Sequence, residues 1–196
     1  IVGPWIHKYP HFAAPEPRIG FLQVALQWWD RWLKGIDNGV ENEPAYKAWL
    51  MDSVEPKAWL PERPGRWIAE AKWPSRNLVQ QLYVLTNDGL SASEGDLDQS
   101  ISSPQDTGLT AGEYFPFTYG AELPDEQGED DKRSLVFDGE PLGEVKDILD
   151  APVVSLHFSS DQPQALLHVR LCDVFPDGRS ALITHGFLNL THHGSH

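Results

Sequence analysis

The 196-residue sequence has little sulphur, little positive charge and no long apolar run. Its one cysteine, Cys172, excludes an intramolecular disulfide framework and a zinc site made of several cysteines. Fifteen Lys and Arg residues stand against 29 Asp and Glu residues, giving a net charge of −14 that disfavours binding to nucleic acid or to membrane surfaces. No stretch approaches the ~20 apolar residues of a membrane span, and the first residues show no signal-peptide pattern.

Apolar and acidic residues are unevenly distributed. Hydrophobic residues make up 40% of the chain, which predicts a folded domain with a sizeable core. All eight tryptophans lie at or before position 73. Residues 91–150 hold 16 acidic and three basic side chains, and so carry −13 of the net charge. We interpret this stretch as solvated loops, with calcium or a basic partner as the alternative ligand.

Residues 21–34 have the clearest helical pattern. Apolar residues recur at spacings of three and four and make one broad face: Leu22, Ala25, Leu26, Trp29, Trp32 and Leu33. Asp30 and Lys34 form an i,i+4 pair on the other side, and Gly35 is placed to end the helix. The pattern predicts a helix whose tryptophan-rich face packs into a core.

Beyond Pro44 the chain changes to short alternating segments separated by turn signals at 87–89, 138–139 and 176–178. Seven segments are predicted strands: Ala45–Met51, Arg66–Ala71, Gln80–Leu85, Ser134–Phe137, Val153–Ser159, Leu166–Val174 and Ser180–Leu190. They favour a mainly β fold, a jelly-roll β-sandwich. The chain opens on Ile1, and strand-like patterns reach both ends, so we expect a piece of a longer protein.

One histidine, His7, ends the pentapeptide Gly-Pro-Trp-Ile-His and precedes the predicted helix. In α/β-hydrolases the histidine of the Ser…Asp…His triad has this position, after the last strand and before a helix. The sequence therefore makes His7 a candidate general base, with a structural loop histidine as the alternative.

Several short motifs, in order along the chain, resemble the cocaine-esterase / X-Pro dipeptidyl-peptidase family of serine hydrolases: Gly3-Pro4-Trp5-Ile6-His7, Trp32-Leu33-Lys34-Gly35, Lys57-Ala58-Trp59, Trp73-Pro74, Tyr83-Val84-Leu85, Gly89-Leu90, the stretch 171–180, and Gly186-Phe187-Leu188-Asn189-Leu190-Thr191. The resemblance implies that residues 1–40 are the last strand-loop-helix of an α/β-hydrolase catalytic domain. Residues 41–196 would be a jelly-roll, galactose-binding-like domain, truncated at its C-terminal end. It also implies that His7 is the catalytic base of a Ser-His-Asp mechanism acting on ester or amide bonds, with no cofactor.

The rest of the triad is not found in the sequence. The family's nucleophile lies on a Gly-x-Ser-x-x-Gly elbow, and the nearest stretch, residues 89–93, lacks the second glycine and follows His7. The triad acid and the oxyanion hole would precede His7, where only six residues stand. We therefore expect the isolated chain to be inactive, its partners to be a missing N-terminal catalytic region and an ester, amide or peptide substrate, and its exposed helix to favour self-association.

Other interpretations stay open. A non-enzymatic β-sandwich binding module for carbohydrate or protein would use Trp59, Trp67 and Trp73 as stacking platforms. A metal site would draw on the clustered histidines His185, His192, His193 and His196, although neighbouring residues of an extended segment point to opposite faces. The remaining candidates are expected to be structural: His157 and His168 in strands, Asp173 and Asp177 at a turn, and Cys172 as a buried thiol.

Overall fold

The computed structural model describes residues 1–118, 120 and 122–192. Its helices and strands follow in the order α1 (Phe21–Lys34), β1 (Tyr46–Met51), β2 (Gly65–Glu70), β3 (Val84–Thr86), β4 (Gly89–Ser91), α2 (Gly128–Asp131), β5 (Leu166–Val174) and β6 (Ser180–Asn189). Short 3-10 helices occupy Val40–Asn42 and Leu190–His192. Within the described ranges, no helix is both long enough and apolar enough to cross a membrane.

Helix α1 has the bounds that the apolar spacing predicts. Gly35 ends it in the left-handed conformation (φ 69°), where glycine carries no steric cost, and its N–H donates to the Arg31 carbonyl oxygen at 3.1 Å. The predicted ion pair is present, with Lys34 Nζ 2.6 Å from a carboxylate oxygen of Asp30. Local sequence signals therefore account for both the span and the end of this helix.

The apolar side of α1 is exposed. We call it the tryptophan face; its residues are 50–74% exposed and are Leu22, Leu26, Trp28, Trp29, Trp32 and Leu33. The polar side is held by a hydrogen bond from Asn38 Nδ2 to the Gln27 carbonyl oxygen (2.8 Å) and by an ion pair between Arg31 and Glu41 (2.6 Å). The prediction of a core-facing helix is therefore wrong for the described chain, because no apolar surface covers that face.

Strands β1 and β2 pair antiparallel, with Trp49 opposite Trp67 and their rings edge to face at 5.3 Å. On the other side of β1, Val2 forms a parallel bridge with Ala48. Its N–H donates to the Lys47 carbonyl oxygen and its own carbonyl accepts from the Trp49 N–H, both at 2.9 Å. The start of the chain thus extends this sheet.

Strands β3 and β4 form a small hairpin, and β5 and β6 form a long one. Two of the three predicted turns are present, with Gly89 at φ 122° and Gly178 at φ 87°. Residues 138–139 form no turn in the structure. Asp177 caps the second turn as expected, since its carboxylate accepts from the Arg179 N–H at 3.2 Å. The pairing of β5 with β6 shifts register between Leu171 and Cys172.

Two predicted strands, Ser134–Phe137 and Val153–Ser159, are not strands in the structure, and β3 includes only the last residues of Gln80–Leu85. Alternation gives a segment the side-chain pattern of a strand, but a strand also needs a neighbour to bond its backbone groups. The described residues give these segments no ladder partner. The structure therefore shows a β-rich chain with three two-stranded antiparallel sheets, and the jelly-roll sandwich stays a prediction.

The described chain buries little apolar surface, contrary to the sizeable core expected from composition. Its buried hydrophobic residues are Ile6, Ala13, Ala14, Ala48 and Ala111. A polar cluster packs beside β5 instead: the Arg170 side chain, 8% exposed, pairs with Asp131 at 2.7 Å and donates to Gln127 Oε1 at 2.9 Å. Breaking such a buried pair leaves an uncompensated charge, so this cluster fixes the acidic region to the hairpin.

The acidic region is not solvated throughout, because Glu122 and Asp130 are buried. Burial alone would raise the pKa of Asp130. The hydrogen bonds it accepts from the Gly108 N–H (2.9 Å) and from Thr110 (hydroxyl, 2.6 Å) outweigh burial and hold the pKa below its ordinary value. Part of the acidic stretch is therefore organised around an ionised carboxylate.

Candidate functional site

His7 lies on an anchored loop that leads from the Val2 bridge towards α1. Ile6, the residue before it, is 4% exposed, and its N–H donates to the Ala14 carbonyl oxygen at 2.8 Å. The His7 side chain is itself exposed. The loop thus fixes the backbone of His7 and leaves the imidazole accessible, as a general base requires.

Three residues from the middle of the chain lie against His7, and we call them the 115–117 strap. The His7 N–H donates to the Pro116 carbonyl oxygen at 2.8 Å. The Phe115 ring centroid is 3.9 Å from that of the imidazole, and the Phe117 centroid is 5.8 Å away. Lys8 Nζ lies 4.0 Å from the Phe117 ring centroid. Both phenylalanines are 55% exposed, so the strap forms an open aromatic wall beside His7.

The described residues do not complete a catalytic triad. The contacts of the His7 ring are aromatic, and no described serine hydroxyl or carboxylate is hydrogen-bonded to it. Ser91, the serine of the elbow-like stretch, lies in β4 with its Oγ 3.1 Å from that of Ser93. The role of His7 therefore stays a prediction.

The long hairpin brings two histidines together. His168 Nε2 is 3.1 Å from His185 Nδ1, and the Phe187 ring stacks on His168 at 4.1 Å. Burial lowers the pKa of His168, and electrostatic interactions with His185 and Arg170 act in the same direction. The sequence patterns assigned His168 and His185 to different groups. Only the register, with His168 opposite Phe187 and Arg170 opposite His185, reveals the pair.

The histidine cluster considered as an alternative metal site lies mostly outside the described residues. His193 and His196 lie outside the described residues, as does the His192 side chain. Within residues 1–118, 120 and 122–192, no group of three or more His, Cys, Asp or Glu side chains could hold a metal ion. His157 is exposed on an irregular segment, so its expected strand position is wrong.

Cys172 and Asp173 occupy neighbouring positions near the end of β5. Burial raises the pKa of the Cys172 thiol, so the thiol is protonated at neutral pH and is a poor nucleophile. Asp173 accepts a hydrogen bond from the Ser53 hydroxyl. The Cys172 environment fits the buried thiol that the sequence predicts. Asp173 instead lies in β5 and bonds to Ser53, so its predicted role as a turn cap is wrong.

The three tryptophans proposed as sugar platforms are only partly exposed. Trp67 is 40% exposed and packs on Trp49, while Trp73 is 39% exposed and stacks on Tyr46 at 4.4 Å. Trp59 is half-buried. Two of these rings already use a contact surface within the protein, which reduces the area left for a sugar ring.

Comparison with known proteins relates this chain to one protein family and to two longer proteins. Residues 38–196 match the family described as the X-Pro dipeptidyl-peptidase C-terminal non-catalytic domain. Two curated proteins are 26% identical over 204 aligned residues: "Putative serine esterase Mb1866c" of Mycobacterium bovis and "Putative serine esterase MT1883" of Mycobacterium tuberculosis. Each alignment covers 98% of this chain and 31% of the relative, so the chain spans about a third of their length. No solved structure gives a significant match.

These findings confirm the family resemblance of the motifs and connect the chain to serine hydrolases at the level of the family. The match extends over most of the sequence, including the long hairpin and all three sheets. It begins after α1, so it does not bear on His7. The chain belongs to the X-Pro dipeptidyl-peptidase C-terminal domain family.

Proposed function

We propose that this chain is part of a serine hydrolase that cleaves ester or amide bonds, and that it supplies the general base, His7, together with an accessory β domain. The observation that carries the proposal is the setting of His7. The histidine of the Gly-Pro-Trp-Ile-His motif is exposed on an anchored loop beside an open aromatic wall. The two relatives named as serine esterases support the reaction class.

In the proposed mechanism, the nucleophilic serine and the triad acid lie in a part of the protein outside this chain. His7 takes the proton of the serine hydroxyl as the serine oxygen bonds to the substrate carbonyl carbon. It then donates that proton to the departing alcohol or amine, leaving an acyl-serine. Water repeats the sequence with His7 as base, which releases the carboxylic acid and restores the serine.

The catalytic region would pack on the tryptophan face of α1. Six large apolar side chains at 50–74% exposure form a patch of the kind that marks an interaction surface. The relatives are about three times as long as this chain, which supplies the length for a further domain. Phe21, the first residue of α1, contacts Tyr9 at 5.7 Å and His11 at 6.0 Å, so a domain seated on α1 would also lie close to the His7 loop.

The 115–117 strap would form one wall of the substrate pocket. Phe115 and Phe117 present exposed ring surface next to the imidazole, where the acyl or leaving group of a substrate must lie for proton transfer. An apolar wall at that place favours substrates with a hydrophobic group near the scissile bond. In this way the β domain would contribute to specificity without supplying the nucleophile.

The first test uses the protein expressed from its complete gene, here called the full-gene protein. We expect it to hydrolyse p-nitrophenyl acetate and to lose that activity when a serine-directed phosphonate forms one adduct, on a serine outside the 196 residues. The 196-residue chain, assayed beside it, is expected to show no phosphonate-sensitive turnover. An adduct on a serine within the chain, or a full-gene protein without such turnover, would contradict the proposal.

A second prediction concerns the strap. Phe115→Ala in the full-gene protein is expected to lower kcat/KM for p-nitrophenyl butanoate about 2- to 12-fold, because an aromatic contact contributes about 0.5–1.5 kcal/mol. Tyr114→Ala is the matched control, since Tyr114 is 87% exposed and outside the strap. Steady-state kinetics of the two variants measure this difference. Equal decreases in kcat/KM for the two variants would show that the strap has no particular role.

A further inference from the structure

A small cavity is lined by neither His7 nor the 115–117 strap, although Pro4 of the pentapeptide forms part of its wall. It has a volume of about 180 Å³ and lies between the N-terminal loop, residues 51–63, residues 123–124 and the start of β6. Its walls are mainly apolar and include Met51, Leu60, Leu123 and Ile183. The space is equivalent to about six water molecules at ~30 Å³ each, which suits a short ligand rather than a drug-sized one.

Arg63 is the charged residue of this cavity that has no ion-pair partner among the described residues. Its Nε is buried and has no hydrogen-bond partner in the described chain. Burial lowers the pKa of Arg63 although Asp52 attracts its charge from a distance, and the guanidinium stays protonated at neutral pH. The residue as a whole is half-buried, and a partly buried cation without a counter-ion is stabilised by an anion that bonds to it.

The position of Arg63 is fixed by its backbone. Its N–H donates to the Glu16 carbonyl oxygen and its carbonyl accepts from Trp49 Nε1, both at 2.9 Å. The other cation of the cavity, Lys57, is already paired with Glu55 at 3.3 Å. Of the two cations of the cavity, Arg63 is therefore the one without a counter-ion among the described residues.

We propose that this cavity binds a small organic carboxylate with a short alkyl chain, its carboxylate on the Arg63 guanidinium and its alkyl chain on Met51, Leu60 and Ile183. A carboxylate accepts two parallel hydrogen bonds from the two terminal nitrogens of a guanidinium. The apolar walls exclude water from the rest of the ligand. The inference uses none of the residues assigned to hydrolysis and stands independently of the proposed function.

The experiment uses butanoate as the probe and Met51 as the reporter. Met51 is the single methionine of the chain and lines the cavity, so methyl-¹³C-methionine gives one NMR signal from the site. We expect butanoate to shift this signal saturably and 1-butanol, which lacks the charge, to shift it far less. Equal effects of butanoate and 1-butanol, or no saturable shift with butanoate, would overturn the proposal.

Variants of two neighbouring arginines show whether the charge of Arg63 is responsible. Arg63→Gln is expected to weaken butanoate binding about 10- to 100-fold, and Arg63→Lys, which keeps a positive charge, is expected to weaken it less. Arg66→Gln is the control, because Arg66 is exposed and pairs with Asp147. Equal weakening by Arg63→Gln and Arg66→Gln would overturn the proposal.

A second source of carboxylate is an acidic side chain elsewhere in the full-gene protein. Calorimetric titration of the full-gene protein and its Arg63→Gln variant with butanoate separates the two sources. We expect Arg63-dependent binding in the full-gene protein as well. If butanoate bound to the 196-residue chain but not to the full-gene protein, a side chain of the full-gene protein would occupy the site. That result would overturn the assignment of a small-molecule ligand.

Discussion

Replacing His7 by asparagine in the full-gene protein is expected to lower kcat for p-nitrophenyl acetate by about 10³-fold or more. Asparagine is similar in size and can form hydrogen bonds, but it cannot take the serine proton at neutral pH. The His7 N–H that bonds to Pro116 belongs to the backbone, so the 115–117 strap would remain attached. Steady-state kinetics with near-unchanged KM would assign the loss to chemistry rather than to binding.

His157→Asn is the matched control for this experiment. His157 is exposed on an irregular segment, and its replacement is expected to leave kcat within about twofold, since surface substitutions change stability by only about 0.5 kcal/mol. Retention of at least a tenth of the activity by His7→Asn would refute the role of His7 as general base. Phosphonate labelling of the same variant adds a second readout, because a serine without its base reacts slowly.

The tryptophan face of α1 provides the prediction with the largest expected effect on stability. Trp29→Ala is expected to cost about 3–5 kcal/mol of unfolding free energy in the full-gene protein, where the catalytic region would bury the ring. In the 196-residue chain, where Trp29 is 52% exposed, the same change is expected to cost only about 0.5 kcal/mol. Urea unfolding followed by circular dichroism measures both values.

Gln23→Ala, on the polar side of α1, is the control and is expected to be near neutral in both proteins. A small cost of Trp29→Ala in the full-gene protein would show that no domain covers this face. Sedimentation velocity of the 196-residue chain addresses the other occupant of the face, a second copy. Self-association that persists in the full-gene protein, and that Trp29→Ala abolishes there, would assign the face to an oligomer interface.

Local signals were sufficient to predict α1 and the long hairpin, but not strand β4 of the small one. The bounds of α1, its Gly35 cap and the Asp30–Lys34 pair all depend on residues within one or two turns of each other. The long hairpin was predicted on the same basis, from alternation on both sides of the 176–178 turn. Features that depend on distant partners were not: the tryptophan face is exposed, and Val153–Ser159 has no neighbouring strand.

The site was predictable to the same limited degree. His7 was identified from its pentapeptide and its place before the helix, but the 115–117 strap joins it across more than a hundred residues, and no sequence pattern links the two. Arg63 carried no signal either, because an unpaired guanidinium is a property of packing rather than of sequence. The His168–His185 contact required the strand register.

The backbone hydrogen bonds of the first seventeen residues have a consequence for modularity. Val2 bonds to β1, Glu16 bonds to Pro61 and Arg63, and His7 bonds to Pro116. The N-terminal segment is thus hydrogen-bonded to the family-matched region, residues 38–196, at three places, although it lies outside that region itself. A fusion protein that contained only residues 41–196 would lose the Val2 pairing with β1. It would also lose the hydrogen bond that attaches the strap to His7. Recombination between relatives would therefore preserve this architecture best when the crossover lies before Val2, so that His7 and the strap are inherited together.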